Sequence, residues 1–150
     1  MRISEAEAYM QIALEEAHNA LSSGEIAVGA LIVKDGCIIA RAHNLVESAY
    51  DATRHAELIA IEQACKILGS WRLNGCSLIV TLEPCAMCTG AILNSRIDEV
   101  IFGAYDQRAG ACFSAVDLAS GTLGVSFRAV GGVLEKECRT LLAETFKERR

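Results

Sequence analysis

The stretch Cys76-Ser77-Leu78-Ile79-Val80-Thr81-Leu82-Glu83-Pro84-Cys85-Ala86-Met87-Cys88 is an apolar segment followed at once by a break. Residues 76–82 have no polar face, which predicts a strand that is buried on both sides near the centre of a sheet. Glu83 and Pro84 end that strand, and a proline is tolerated where the next helix begins. We therefore predict a short helix over residues 85–95 that starts with a pair of cysteines.

Helical and strand patterns alternate on both sides of this central strand. Apolar residues at helical spacing, a capping box of Ser4 and Glu7, and an Asp35-Gly36 turn mark the first elements. The predicted elements are helices over residues 4–22, 55–68, 85–95, 113–119 and 134–147, strands over 26–33, 37–42, 76–82, 100–103 and 125–130, and a loop over 44–53.

This order favours parallel neighbours after the first hairpin, with helices on both faces of one sheet. The predicted fold class is α/β, a three-layer α/β/α sandwich with a mixed five-stranded sheet. A chain of 150 residues is expected to form one domain over 1–150.

The composition excludes several classes of protein. Hydrophobic residues make up 52% of the chain, yet no apolar run reaches the roughly 18–20 residues that a membrane span needs. The first residues lack the basic and then apolar pattern of a secretion signal, so we expect a cytoplasmic location and no membrane partner. Seven cysteines is an odd number, which excludes a complete set of disulfides within one chain.

A second motif, His55-Ala56-Glu57, lies about thirty residues before the cysteine pair. One imidazole with the sulfurs of Cys85 and Cys88 would leave the fourth position of a zinc ion open for water, as in catalytic zinc sites. Glu57 is close enough to take a proton from that water, although it is badly placed to be a ligand itself.

Other interpretations of these residues stay open from the motifs alone. A Cys-x-x-Cys pair after a strand also occurs as a redox pair, which has no use for His55 and Glu57. A structural zinc site needs a fourth ligand, for which His18 and His43 are available. Glu57 could also be an acid that favours the first turn of a helix through the helix dipole.

The net charge of −5 argues weakly against a nucleic-acid partner, but affinity for phosphate depends on local basic patches. The candidate patch is Lys147-Glu148-Arg149-Arg150 at the end of the chain. An ordinary helix end would have the same composition, because basic residues favour the last turn.

With these motifs the chain resembles the family of bacterial tRNA-specific adenosine deaminases, a branch of the zinc-dependent base deaminases, over nearly its whole length. The segments that also match are Val28-Gly29-Ala30, Asn44, Thr81-Leu82, Gly90-Ala91-Ile92, Ser95-Arg96-Ile97, Phe102-Gly103-Ala104, Asp106 and Gly110-Ala111. The resemblance implies a cytidine deaminase-like fold and conversion of the wobble adenosine of a tRNA anticodon to inosine.

The resemblance also implies roles for particular residues. One zinc ion per subunit would be bound by His55, Cys85 and Cys88, while Glu57 shuttles protons. The family is homodimeric, and the apolar helix over residues 86–93 is a candidate interface element. We expect no DNA partner.

Five further residues would bind the substrate by the same resemblance. Asn44 would hydrogen-bond the flipped base, Val28 would pack on it, and the backbone N–H of Ala56 would hold its polar edge. Asp106 would contact the RNA near the target nucleotide. Phe146, with the basic end of the last helix, would support the anticodon stem-loop.

The sequence departs from the family at three places. Ala27 stands where the family often has proline, Tyr105 where a basic residue is common, and Cys112-Phe113-Ser114 where small residues with Gly-Ser are common. Two other functions are therefore kept as alternatives. One is a deaminase of free guanine, cytosine or a nucleoside, and the other is an inactive, zinc-stabilised RNA-binding subunit, against which the intact Glu57 argues.

Overall fold

The structure, a computed structural model, describes residues 1–148. Within that range no helix combines the length and the apolar character that a membrane crossing needs. The helices are α1 (Ile3–Ser22), α2 (Val46–Ala49), α3 (Ala56–Leu68), α4 (Ala86–Asn94) and α5 (Glu135–Glu148), and the strands are β1 (Gly29–Lys34), β2 (Cys37–His43), β3 (Cys76–Leu82), β4 (Glu99–Ala104) and β5 (Arg128–Val130).

The strands form one mixed sheet in the order β2-β1-β3-β4-β5. Strand β1 runs antiparallel to both β2 and β3, whereas β3, β4 and β5 are parallel. Val80 of β3 pairs with Ala30 on one side and with Phe102 on the other. The prediction that the apolar strand is central, in a mixed five-stranded sheet, is confirmed.

The β1–β2 hairpin closes through a tight turn. Asp35 and Gly36 have φ angles of 50° and 75°, and this pair of positive angles is typical of the type I′ turn that joins twisted antiparallel strands. The pairing register shifts between Ile32 and Val33, so the hairpin contains a bulge near the turn.

Helices cover both faces of the sheet, which confirms the three-layer sandwich. Helices α1 and α5 pack on one face, and α3 and α4 on the other. Alternate residues of β3 pack against opposite layers. Ile79 belongs to the core on the α1 side, and Leu78 and Val80 belong to the core on the α3 side. Because a strand of this kind is apolar on both faces, it contributes to two cores at once.

Two of the predicted strands differ from the structure by three residues at their start, the other shared elements agree to within one residue at each end, and one predicted cap is wrong. The first strand begins at Gly29 rather than 26, and the last strand is only Arg128–Val130. Helix α1 follows an extended Arg2 and has no side-chain cap, so Ser4 and Glu7 lie inside the helix and form no capping box. The predicted loop over residues 44–53 contains the single helical turn α2.

The helix predicted over residues 113–119 is wrong. This segment forms turns, in which the N–H groups of Ala115 and Val116 both donate to the carbonyl of Gly110. The backbone N–H groups of Cys112, Phe113 and Ser114 donate to the side chain of Glu83, which is distant in the sequence. A helix would require a different placement of these groups, so the long-range contact overrides the local preference.

We expect the cost of shortening a leucine to depend on its place in the sandwich. Leu78 is 0% exposed on β3 and Leu123 is 59% exposed. Leu78→Ala should lower the free energy of unfolding by about 2–5 kcal/mol because it leaves a cavity, whereas Leu123→Ala should change it by less than about 0.5 kcal/mol. Urea denaturation measures both values. Equal losses would contradict the buried position of β3.

Candidate active site and metal centre

One pocket collects most of the predicted site residues. It lies beyond the ends of β3 and β4 and the starts of α3 and α4, where open α/β sheets place their ligands. Its volume is about 150 Å³. Its lining residues are Ile26, Val28, Asn44, His55, Ala56, Glu57, Leu82, Glu83, Cys85, Asp106 and Ala109.

Three side chains converge here as a metal centre requires: His55 and Cys85 line the pocket, and Cys88, which is fully buried, lies next to them. The Nδ1 atom of His55 lies 3.7 Å from Sγ of Cys85 and 3.5 Å from Sγ of Cys88. All the ligand atoms lie within 4.8 Å of one another. A tetrahedral zinc ion with ordinary bond lengths separates a nitrogen from a sulfur ligand by about 3.6 Å, so the three residues fit zinc.

The local structure explains why these side chains meet. His55 is the N-cap of α3 and Cys85 is the N-cap of α4, and both have extended backbone angles. Cys88 lies in the first turn of α4, on the same side as Cys85. The positive ends of the two helix dipoles meet here, and they favour thiolate ligands.

The two thiols shift each other's pKa in opposite directions. The hydrogen bond from the Cys88 thiol, helped by His55, lowers the pKa of Cys85 to about 4. The same hydrogen bond, together with burial, raises the pKa of Cys88 far above its usual value. A metal ion must therefore displace the proton of Cys88 to bind both sulfurs.

Glu57 lies beside the three ligands and is only 4% exposed. Burial raises the pKa of its carboxyl group to about 7, because the charged form loses its hydration, and the nearby His55 opposes this shift. A carboxyl group that titrates near neutral pH suits both the acceptance and the donation of protons.

The predicted substrate residues fall into two places. Val28, Asn44, Ala56 and Asp106 line the same pocket as the ligands. Phe146 does not line it but lies, 53% exposed, in an adjoining groove that also includes Asp106. Of the predicted basic tail, Arg149 and Arg150 lie outside the described residues.

The side chain of Asn44 is held by its own loop. Its Oδ1 atom accepts a hydrogen bond from the backbone N–H of Val46, 3.1 Å away, and its backbone N–H donates to Val28. The side-chain oxygen is thus engaged, so the amide group offers N–H donors to a ligand.

Neither candidate for a fourth protein ligand lines the pocket. His43 is bonded through Nδ1 to Glu16, 3.2 Å away, and His18 is exposed on α1. The site therefore provides three ligands and a buried acid rather than the closed set of a structural zinc site.

Two buried carboxylates of the pocket region were missed by the sequence analysis. Glu83 is 2% exposed and accepts hydrogen bonds from residues 106–114. Burial opposes its ionisation, but the hydrogen bonds from Ser114 and Phe113 lower its pKa overall. Glu25 is 1% exposed and accepts from the backbone of Glu47 and Ser48. One sequence feature indicated a role for Glu83, its position directly after an apolar strand, and none indicated a role for Glu25.

Known proteins share this arrangement. A family model described as "Cytidine and deoxycytidylate deaminase zinc-binding region" matches residues 3–104. A Bacillus subtilis (strain 168) protein named tRNA-specific adenosine deaminase is 44% identical over 99% of this chain and 92% of its own length.

Two solved structures extend the comparison. One comes from a study of A-to-I editing by tRNA:A34 deaminases at the wobble position of transfer RNA. Its TM-score is 0.87 and its sequence is 39% identical, and the match covers 89% of this chain and 98% of that one. The other, a guanine deaminase from Bacillus subtilis, has a TM-score of 0.63 and 34% identity over 79% of this chain and 86% of its own.

The redox interpretation of Cys85 and Cys88 does not survive these findings, because both cysteines lie with His55 inside the matched zinc-binding region. The full-length similarity reaches beyond that region to the last helix. The chain belongs to the cytidine and deoxycytidylate deaminase family of zinc enzymes, and within it to the tRNA-specific adenosine deaminases.

Proposed function

We propose that this enzyme hydrolyses the exocyclic amine of adenosine at the wobble position of a tRNA anticodon, producing inosine. The observation that carries the proposal is a buried acid, Glu57, beside a cluster of three side chains that fits zinc, two of which line the same pocket as the acid. The choice of base and of tRNA is supported by the names of the near-full-length relatives.

His55, Cys85 and Cys88 would hold one zinc ion in each subunit. When bound there, zinc acts as a Lewis acid that lowers the pKa of a coordinated water to about 7. Glu57 would accept a proton from the attacking water and deliver it to a ring nitrogen of the adenine, while the water oxygen bonds to C6. The bond between C6 and the exocyclic nitrogen would then break.

Glu57 would then take the second proton from the hydroxyl group added at C6, which becomes the carbonyl of inosine, and pass it to the departing amine, which leaves as ammonia. A single carboxyl group serves all these transfers because they occur in sequence. Its burial keeps bulk water away from the proton that it carries.

The remaining pocket residues would hold the flipped base. We propose that the amide N–H of Asn44 donates to the base, that Val28 packs on its face, and that the backbone N–H of Ala56 binds its polar edge. Asp106 would contact the RNA at the pocket entrance, and Phe146 would support the stem-loop in the adjoining groove. A base in a single-stranded loop is partly unstacked already, so extrusion costs little.

We further propose one domain over residues 1–150 and a homodimer, with α4 at the interface. Ala86 and Met87 are exposed on that helix although its composition is apolar. A cytoplasmic location follows from a tRNA substrate. Neither a membrane nor DNA is proposed as a partner.

Removing the carboxylate should abolish turnover without removing zinc. Glu57→Gln keeps the size of the side chain but cannot accept a proton, so inosine formation should fall at least a hundredfold, about the contribution of general acid–base catalysis. Metal analysis should still find one zinc per chain. Glu62→Gln, an exposed acid on the same helix, is the control and should keep full activity. Full activity of the Glu57 variant would contradict the assigned role.

A comparison of possible substrates tests which base the enzyme deaminates. We expect inosine in an anticodon stem-loop and no turnover of free guanine, cytosine or cytidine, or of the equivalent DNA stem-loop. Affinity for the stem-loop should fall as salt rises, because phosphate contacts release counterions. Ammonia release measures the turnover of each substrate, and sequencing of the treated RNA detects the inosine. Turnover of free bases alone would favour the nucleobase alternative, and zinc-bound protein without any product would favour the inactive subunit.

The dimer has a direct test. Sedimentation velocity at micromolar concentration should give about twice the chain mass of 16.1 kDa. A species at the mass of one chain that retains full deaminase activity would refute the proposed assembly.

A further inference from the structure

The carboxylate of Glu83 is surrounded by hydrogen-bond donors from one segment, residues 106–114, here called the Glu83 loop. Its Oε1 atom accepts from the backbone N–H of Asp106 at 3.0 Å and from the hydroxyl of Ser114. Its Oε2 atom accepts from the backbone N–H groups of Cys112, Phe113 and Ser114 at 3.1, 2.8 and 3.0 Å.

All five of these groups are donors, so the side chain at position 83 must accept every one of the hydrogen bonds. A carboxylate has two oxygens with room for several hydrogen bonds, whereas an amide would direct its own N–H groups at these donors. The loop also closes tightly over the side chain. A Cβ atom at Gly110 would lie 2.3 to 2.5 Å from the carboxyl atoms of Glu83, so only glycine allows the backbone to approach this closely.

The Glu83 loop has no regular secondary structure of its own. The β3–β4 pairing ends at Leu82 and Ala104, so the loop lies beyond the sheet ladder. The backbone bond from Ala111 to Pro84 is the other link to the end of β3. Apolar contacts of Cys112 with the core, and of Phe113 with Phe102, also hold the far end of the loop, whereas Glu83 bonds to both of its ends.

The same loop forms part of the catalytic pocket. Asp106 and Ala109 line the pocket together with Glu83. The Oδ1 atom of Asp106 accepts from the backbone N–H groups of Arg108 and Ala109, so a shift of Asp106 would move Ala109 with it. The metal ligands lie at the starts of α3 and α4, outside this loop.

We propose that Glu83 is a positioning residue for the deamination: through the Glu83 loop it holds Asp106 and Ala109 as one wall of the substrate pocket. This inference rests on the proposed function of that pocket. Glu83 itself exchanges no proton with the substrate, so its loss should weaken substrate binding more than it slows the chemical step.

Three variants test the role of Glu83. Glu83→Gln removes the charge at nearly constant volume, and Ser114→Ala removes one donor. Glu99→Gln is the matched control, because Glu99 is also largely buried and accepts from a serine hydroxyl, Ser77 at 2.7 Å, but lies at the other end of β4. The measurements are KM, kcat, zinc content, and hydrogen exchange of the amides in residues 106–114.

For Glu83→Gln we expect KM to rise about tenfold while kcat stays within about threefold, since hydrogen bonds to a charged acceptor are lost from the wall and not from the reacting groups. Zinc content should be unchanged, and exchange protection should be lost in the Glu83 loop. Glu99→Gln should leave KM within about twofold.

The energetic coupling between Glu83 and Ser114 gives a second test of the proposal. Ser114→Ala should raise KM about threefold in the wild-type background and have almost no effect when Glu83 is already Gln, because both act through one contact. Equal effects in both backgrounds would overturn the proposal. If Glu83→Gln fails to fold, Ser114→Ala with its exchange data decides alone: an unchanged KM overturns the proposal.

Other results would also overturn it: an unchanged KM in a folded, zinc-loaded Glu83→Gln variant, a loss confined to kcat, or a loss of zinc. Failure of the proposed function is a separate result. If the wild-type enzyme deaminates a free base instead of the stem-loop, the same KM and kcat comparison is made with that base.

Discussion

Three ligand atoms from two helices must stay within 4.8 Å of one another, and the architecture of the chain serves this requirement. His55 and Cys85 are each the N-cap of a helix, where extended backbone turns into helix. Both helices pack on the same face of the sheet, and β3 leads directly into α4. Because β3 is buried between two layers, it fixes the place from which Cys85 and Cys88 project.

The chemistry needs a rigid metal centre, whereas the substrate needs a pocket wall with the right shape, and the structure provides these in different ways. Packed helices hold the ligands through apolar contacts. The walls come from loops, and buried carboxylates hold the loops: Glu25 binds the backbone beside Asn44, and Glu83 binds residues 106–114. A carboxylate can satisfy several backbone N–H groups at once, which makes it an effective support for a segment without secondary structure.

The parts of the fold that depend on local patterns were predictable from the sequence. Helices α1 and α3, the Asp35-Gly36 hairpin and the double-sided apolar strand β3 all have short-range patterns, and the metal ligands follow from the spacing of His55 and the cysteine pair. The segment around residues 113–119 was predicted wrongly because its backbone bonds to Glu83, about thirty positions earlier, and no local pattern records such a contact.

A second limit concerns surfaces that only the folded chain creates. The family resemblance implies that Asp106 contacts the substrate, and the structure puts it in the pocket. The position of Phe146 in a separate groove depends on how α5 packs across the sheet. The assignment of base and RNA came from resemblance and from relatives, because a zinc site of this kind says little about which base enters it.

The order of these parts along the chain has a consequence for biosynthesis. Every ligand of the metal centre lies before residue 89, whereas the loop that forms the opposite wall ends at residue 114. Since a nascent polypeptide leaves the ribosome from its N-terminus, the residues that capture the metal emerge well before those that complete the wall.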